Sequence, residues 1–177
     1  MKKSQTSDIF IYAFAIIVVG LILIFGAKKV IDIKNTGNEV ELLNFKKHLE
    51  TLISSSRGSG NVFNESLELP AGFSEVCFID LELEQAKVTS LTKFMITHPI
   101  IYNSWESQVE NNVFLVQNNK LKSFYIKKEQ IKLSGNPVGN CEIDNAKPKA
   151  YICCKVNNGK VTLVFRGSGR SVLIGES

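Results

Sequence analysis

Histidine is nearly absent, with only His48 and His98 in 177 residues, and the short signatures of common hydrolytic and phosphate-binding sites are missing altogether. There is no G-x-S-x-G, no H-E-x-x-H, and no G-x-x-x-x-G-K followed by Ser or Thr. His48 falls inside a helical pattern and His98 precedes Pro99 in an expected loop, so both read as structural, as do Trp105 and Phe114 in packing roles. The run Arg166-Gly167-Ser168-Gly169-Arg170 reads as a glycine turn between strands rather than a phosphate cradle. No catalytic residue, cofactor or metal ligand set is assigned, and the expectation is a protein that is not an enzyme.

Charge is the second absence. Ile9 to Ala27 is nineteen residues with no charged group and no polar side chain beyond the Tyr12 hydroxyl. As a helix rising about 1.5 Å per residue it covers roughly 28 Å, close to the hydrocarbon thickness of a bilayer. A cleaved secretory signal has a shorter apolar core, about 7 to 15 residues, and a small-x-small cleavage site, which Gly26-Ala27-Lys28-Lys29 does not supply. The segment therefore reads as a membrane anchor. Lys2 and Lys3 on one side, and Lys28, Lys29 and Lys34 with Asp32 on the other, do not orient it by charge. Cys77, Cys141, Cys153, Cys154 and the sequon Asn64-Glu65-Ser66, a glycosylation candidate at Asn64, all follow the span. An even cysteine count beyond an export segment favours disulfides in an oxidising compartment, which places the bulk of the chain outside the cell membrane.

Only Met1-Lys2-Lys3-Ser4-Gln5-Thr6-Ser7-Asp8 precede the apolar run. Two lysines, a small residue and then glutamine resemble the class III signal of archaeal type IV pilins and archaellins. The resemblance covers about the first thirty residues. It implies that a prepilin peptidase cuts between Ser4 and Gln5, with Lys2, Lys3, Ser4 and Gln5 forming the processing site. It implies also that the helix stays on the mature chain, first as an anchor and then as the packing surface of a filament. Ala13, Ala15 and Gly20 would permit close approach of neighbouring helices. The sequence departs from many pilins at the fifth mature position, where Ile9 replaces Glu and the nearest acid is Asp8. Asp8 either meets a neighbour's amino terminus or closes the polar head of the helix.

Beyond the anchor the pattern is α+β and pilin-like: a transmembrane helix, an amphipathic helix, then a mainly antiparallel β-sheet domain. The divisions are a leader over 1–4, the transmembrane helix and stem over 5–35, the amphipathic helix over 36–56 and the β-rich domain over 61–177. Asn35-Thr36-Gly37-Asn38 predicts a break, because Gly and Asn weaken a helix interior. From Glu39 to Ser55, Leu42, Phe45, Leu49, Leu52 and Ile53 recur on one helical face. Ser54 to Gly60 predicts a loop, after which the period changes from 3.6 to 2. Strands are expected near 62–69, 75–83, 113–117, 122–127, 149–156, 160–166 and 171–174, with a short helix near Ile100 to Val109. Asn157-Asn158-Gly159 predicts a tight hairpin between the fifth and sixth of them. Within Ile79 to Glu84, Asp80, Glu82 and Glu84 alternate with Ile79, Leu81 and Leu83, which predicts a strand with a solvated acidic face rather than a Ca²⁺ site.

Alternation sets Cys153 and Cys154 on opposite faces of one strand, so each needs a partner elsewhere. Three pairings exist; the expected one joins Cys141 to Cys153 across a hairpin and Cys77 to Cys154 in the core. Zinc is disfavoured because there is no C-x-x-C pair, and buried free thiols are a third use. The net charge of +4 is divided: residues 28–119 hold 8 basic and 12 acidic side chains, residues 120–170 hold 11 and 3. Without a reader motif this basic third reads as a solvated sheet face, not a nucleic-acid site. The expected function is a structural or minor pilin-like subunit of a surface filament, with the membrane, other pilin-like subunits and a prepilin peptidase as partners. The alternative is a single-span extracellular binding domain that never polymerises.

Overall fold

The computed structural model describes residues 5–58, 60–83, 92–117, 120–127, 131–134, 140–143 and 149–176, excepting the side chains of 5–9, 31–36 and 176. Helix α1 runs Gln5–Ser56. The break expected at Asn35 to Asn38 is not there; those residues are helical. A lone glycine costs a helix about 1 kcal/mol relative to alanine, too little to interrupt one propagated from both sides. The helix also takes in Ser54, Ser55 and Ser56, where the expected helix over 36–56 and the expected loop from Ser54 overlap, and their hydroxyls donate back to Thr51 O and Leu52 O. It ends at Arg57-Gly58, where Asn61 N donates to Gly58 O.

The chain divides into two compact units, Met1–Val40 and Glu41–Ser177. The second unit thus takes in the amphipathic part of α1 as well as the β-rich region. The elements after α1 are β1 (Val62–Glu68), β2 (Glu75–Ile79), α2 (Thr92–Thr97), α3 (Pro99–Glu106), β3 (Val113–Gln117), β4 (Lys120–Phe124), β5 (Ile131–Leu133), β6 (Cys141–Ile143), β7 (Tyr151–Lys155), β8 (Lys160–Ser168) and β9 (Ser171–Glu176). They form a first sheet in the order β1-β8-β9-β5 and a second in the order β4-β3-β2-β7-β6. Among the described residues every pairing is antiparallel except β5 with β9.

The second sheet is covered on both faces. Val76 and Phe78 of β2 join a main core with Leu163 and Phe165 of β8 and with Phe45, Leu49 and Ile53 of α1. Leu42 and Leu52 pack at its margin, so the stripe read from helical spacing is the buried one. Cys77 and Ile79, the intervening residues of β2, join a second core with Phe94 of α2 and Ile101 and Trp105 of α3. Fully burying one such aliphatic or aromatic side chain contributes roughly 1.5 to 3 kcal/mol.

Two sequence expectations fail here for identifiable reasons. Strand β2 stops at Ile79, because the buried Asp80 turns the chain: its Oδ1 accepts the N–H of Glu82 at 3.0 Å while its own N–H reaches Ala150 O. Asp80 is therefore inside, Glu82 is in the turn, and Glu84 lies outside the described residues. The Asn157-Asn158-Gly159 turn is real, with positive φ at Asn158 (50°) and Gly159 (76°) and paired backbone bonds between Asn157 and Lys160. It does not close a hairpin, since β7 pairs with β2 and β6 while β8 pairs with β1 and β9. It carries the chain from one sheet to the other.

Candidate functional site

Two features of the chain ask for a partner or a chemistry: the apolar part of α1, and a cluster on the outer face of the second sheet. Phe10–Val30 is one helix long and apolar enough to cross a membrane, and none of it is buried by the chain itself. Phe10, Ile16 and Ile24 are each more than 60% exposed. A core helix of a globular protein would be covered, whereas this segment is not buried among the described residues. Lys2, Lys3 and Ser4 of the expected processing site lie outside the described residues, and Gln5 is the first residue of α1. The side chain of Asp8 is likewise outside them.

The four cysteines form two disulfides, but not in the expected pairing. Cys77 joins Cys153 and Cys141 joins Cys154, with Cα separations of 4.0 and 3.9 Å. Register is the cause: Cys77 lies opposite Cys153 in the β2–β7 pair, and Cys141 opposite Cys154 in the β6–β7 pair. The two bridges staple three neighbouring strands through adjacent residues of β7. Because successive residues of a strand face opposite ways, Cys154 with Cys141 belongs to the main core and Cys153 with Cys77 to the second. The opposite orientation read from the sequence holds, and two oxidised pairs fit an oxidising compartment.

Around the outer bridge stand polar groups. Glu75, two residues before Cys77 on β2, shares its face. His98 sits at the junction of α2 and α3, and the reason is Pro99: a residue before proline avoids the helical region, and His98 leaves it at φ −132°, ψ 58°. The break turns its ring back over the strand. Nε2 lies 3.0 Å from Glu75 Oε2, an ion pair whenever the ring is protonated. Nδ1 lies 2.9 Å from Thr97 Oγ1, whose own hydrogen reaches Lys93 O at 3.0 Å. The ring also stacks on Phe94, with centroids 5.2 Å apart. One donor atom from each of Glu75, Cys77, His98 and Cys153 lies within 4.8 Å of the others. Beside His98 runs an apolar groove of about 180 Å³, lined in part by Pro99, Ile100, Ile101, Val116 and Leu121.

Of the remaining residues marked in the sequence, His48 is exposed on α1 and Asn64 is exposed on β1, an edge strand of the first sheet. Trp105 and Phe114 are both in the second core. The cluster around His98 escaped sequence reasoning, since Glu75, His98 and Cys153 are far apart in the chain. Its local signals are the i, i+2 spacing of Glu75 and Cys77 and the His-Pro step. No protein-family profile, curated protein or solved structure matches the chain.

Proposed function

We propose that the protein is a structural subunit, major or minor, of an archaeal type IV pilus-like surface filament, held in the membrane and then packed in the filament through the apolar part of α1. The observation that carries this reading is that α1 presents Phe10–Val30 uncovered while its later turns supply Phe45, Leu49 and Ile53 to the core of the folded domain. An anchor joined to its domain by a separate linker need not contribute to that core. Here the later turns of the same helix are themselves a structural member of the domain. The basic pair, Ser4 and Gln5 supply the processing step by resemblance, and the disulfides suit a domain outside the cell.

The test is the intact mass and first residue of the protein purified from its native membrane. A chain beginning at Gln5 that keeps the apolar helix supports processing of the prepilin type; a chain still beginning at Met1 overturns it. Lys3→Ala and Ser4→Phe should each block maturation and leave the uncut chain in the membrane.

A second reading has an observation of its own. The apolar groove beside His98, with Ile96 and Ile100 exposed next to it at 71% and 67%, is a surface on which a tethered, non-polymerising domain would bind a partner. On that reading processing variants change nothing.

A further inference from the structure

The outer disulfide is surrounded by the other two ligands of a metal site. A tetrahedral zinc ion holds sulfur at about 2.3 Å and nitrogen or oxygen at about 2.0 to 2.2 Å, which puts its ligand atoms roughly 3.3 to 3.8 Å from one another. The chosen atoms of Glu75, Cys77, His98 and Cys153 already lie within 4.8 Å of one another, so closing on an ion needs side-chain adjustments rather than rearrangement of the fold. Each ligand is held by an element that does not depend on the bridge: Glu75 and Cys77 by the alternation of β2, Cys153 by the β2–β7 register, His98 by the helix break at Pro99.

The outer shell is present too. Zinc-bound histidine usually hydrogen-bonds through its other ring nitrogen, which fixes the tautomer and the ring plane. Thr97 Oγ1 lies 2.9 Å from Nδ1, and with its hydrogen directed at Lys93 O it can accept from Nδ1–H, the tautomer that zinc binding through Nε2 requires. Nε2 is then the nitrogen directed at Glu75 and the sulfurs. The inner bridge has no such setting. Cys141 and Cys154 face the apolar main core, and among the described residues only the outer cluster gathers three or more ligand groups.

We infer that Glu75, Cys77, His98 and Cys153 form a closed zinc site when the Cys77–Cys153 bridge is reduced, so that this face of the sheet is held either by a disulfide or by Zn²⁺. The reductant is a dithiol. It gives two electrons and two protons to the bridge, whose S–S bond breaks to two thiols, and is itself oxidised to a disulfide. Zinc then displaces to solvent the two thiol protons and the proton held between Nε2 and Glu75 in their hydrogen bond, and takes both thiolates, the Glu75 carboxylate and the Nε2 lone pair. Two thiolates with an imidazole select zinc over magnesium or calcium, which prefer oxygen.

The test uses the full chain in detergent micelles without a histidine tag, reduced by a phosphine in the absence of oxygen and titrated with Co²⁺. The reduced chain is expected to bind one ion, with a thiolate-to-cobalt charge-transfer band in the near ultraviolet, and to release it to Zn²⁺. The oxidised chain should show no such band. The Cys141→Ser/Cys154→Ser double variant should keep the site and the Cys77→Ser/Cys153→Ser double variant should lose it. Thr97→Ala should retain the stoichiometry with affinity about 10- to 100-fold weaker, the usual effect of removing an outer-shell partner. Circular dichroism on the same samples follows the fold. A reduced chain that is folded but binds no cobalt overturns the inference. So does a reduced chain that unfolds and fails to refold with Zn²⁺, or a charge-transfer band that survives loss of Cys77 and Cys153.

Discussion

At the scale of single residues, Gly167 and Asp80 show how little room the core leaves. Gly167 is on β8, where its N–H donates to Asn61 O, and a Cβ built on it would lie 1.9 Å from Gly58 O and 2.3 Å from Ser56 O. Both are backbone atoms at the end of α1, so neither can swing aside. Gly167→Ala should therefore destabilise the domain by about 3 kcal/mol or more, the upper range for overpacking, read as a lowered urea midpoint. Burial pushes the Asp80 carboxyl above its ordinary range, against the lowering effects of the Glu82 N–H bond and the Lys132 charge. The folded state thus holds the Asp80 proton to higher pH than the unfolded chain does. Stability from this group falls as pH rises between the two pKa values. Asp80→Asn keeps an oxygen for the Glu82 N–H and removes the buried charge. It should be as stable as the parent or more stable at pH 7, with the difference shrinking in acid; urea unfolding across that range would expose a constant difference, which this account does not allow.

Among elements, what was legible in the sequence was local and what was not depended on register. The stripe Phe45, Leu49 and Ile53 was visible because helical spacing is a property of one segment, β3 because Val113 to Val116 is a short apolar run, and β8 because buried and exposed residues alternate along it. Strands β5 and β6 are three residues each and exist through their partners β9 and β7, so no period marks them. The cysteine pairing is set by register too: β6–β7 places Cys141 opposite Cys154 and β2–β7 places Cys77 opposite Cys153, a one-residue difference from the expected pairs that no local pattern fixes. Asn157-Asn158-Gly159 likewise has the chemistry of a hairpin turn, but nothing local tells that the strands it joins enter different sheets. In α1 the error was one of magnitude. Gly37 weakens the helix without breaking it, and a Cβ there would meet no atom within 4 Å. Gly37→Ala should protect the amide hydrogens near it by about 1 kcal/mol more; loss of protection would instead mark a required hinge. The bridges also differ. Cys77–Cys153 spans 76 residues and Cys141–Cys154 spans 13. On the chain-entropy account, these loops correspond to about 4.5 and about 3 kcal/mol, so removing the outer bridge should lower the unfolding midpoint further than removing the inner one.

At the scale of the whole molecule, the division at Val40 and Glu41 separates two kinds of stability. Residues from Glu41 onward carry both cores and both disulfides, and the Glu41 carboxylate accepts the N–H of Ala71 at 3.0 Å, so the helical segment is tied to the β-rich region from its first residue. Before it, Phe10–Val30 is an apolar helical surface that is not buried among the described residues, and such a surface leaves water in a bilayer or against another apolar surface. A chain restricted to residues 41–177 is therefore expected to fold, oxidise to two disulfides and remain a soluble monomer, whereas the full chain should require detergent and, on the filament reading, assemble when the detergent is withdrawn with lipid absent. Sedimentation and electron microscopy on both forms separate the alternatives. Filaments from the full chain alone place assembly in the apolar helix. Filaments from residues 41–177 would move it to the folded domain and leave the helix as a tether, while a short form that aggregates without folding would show that the core needs the turns before Glu41.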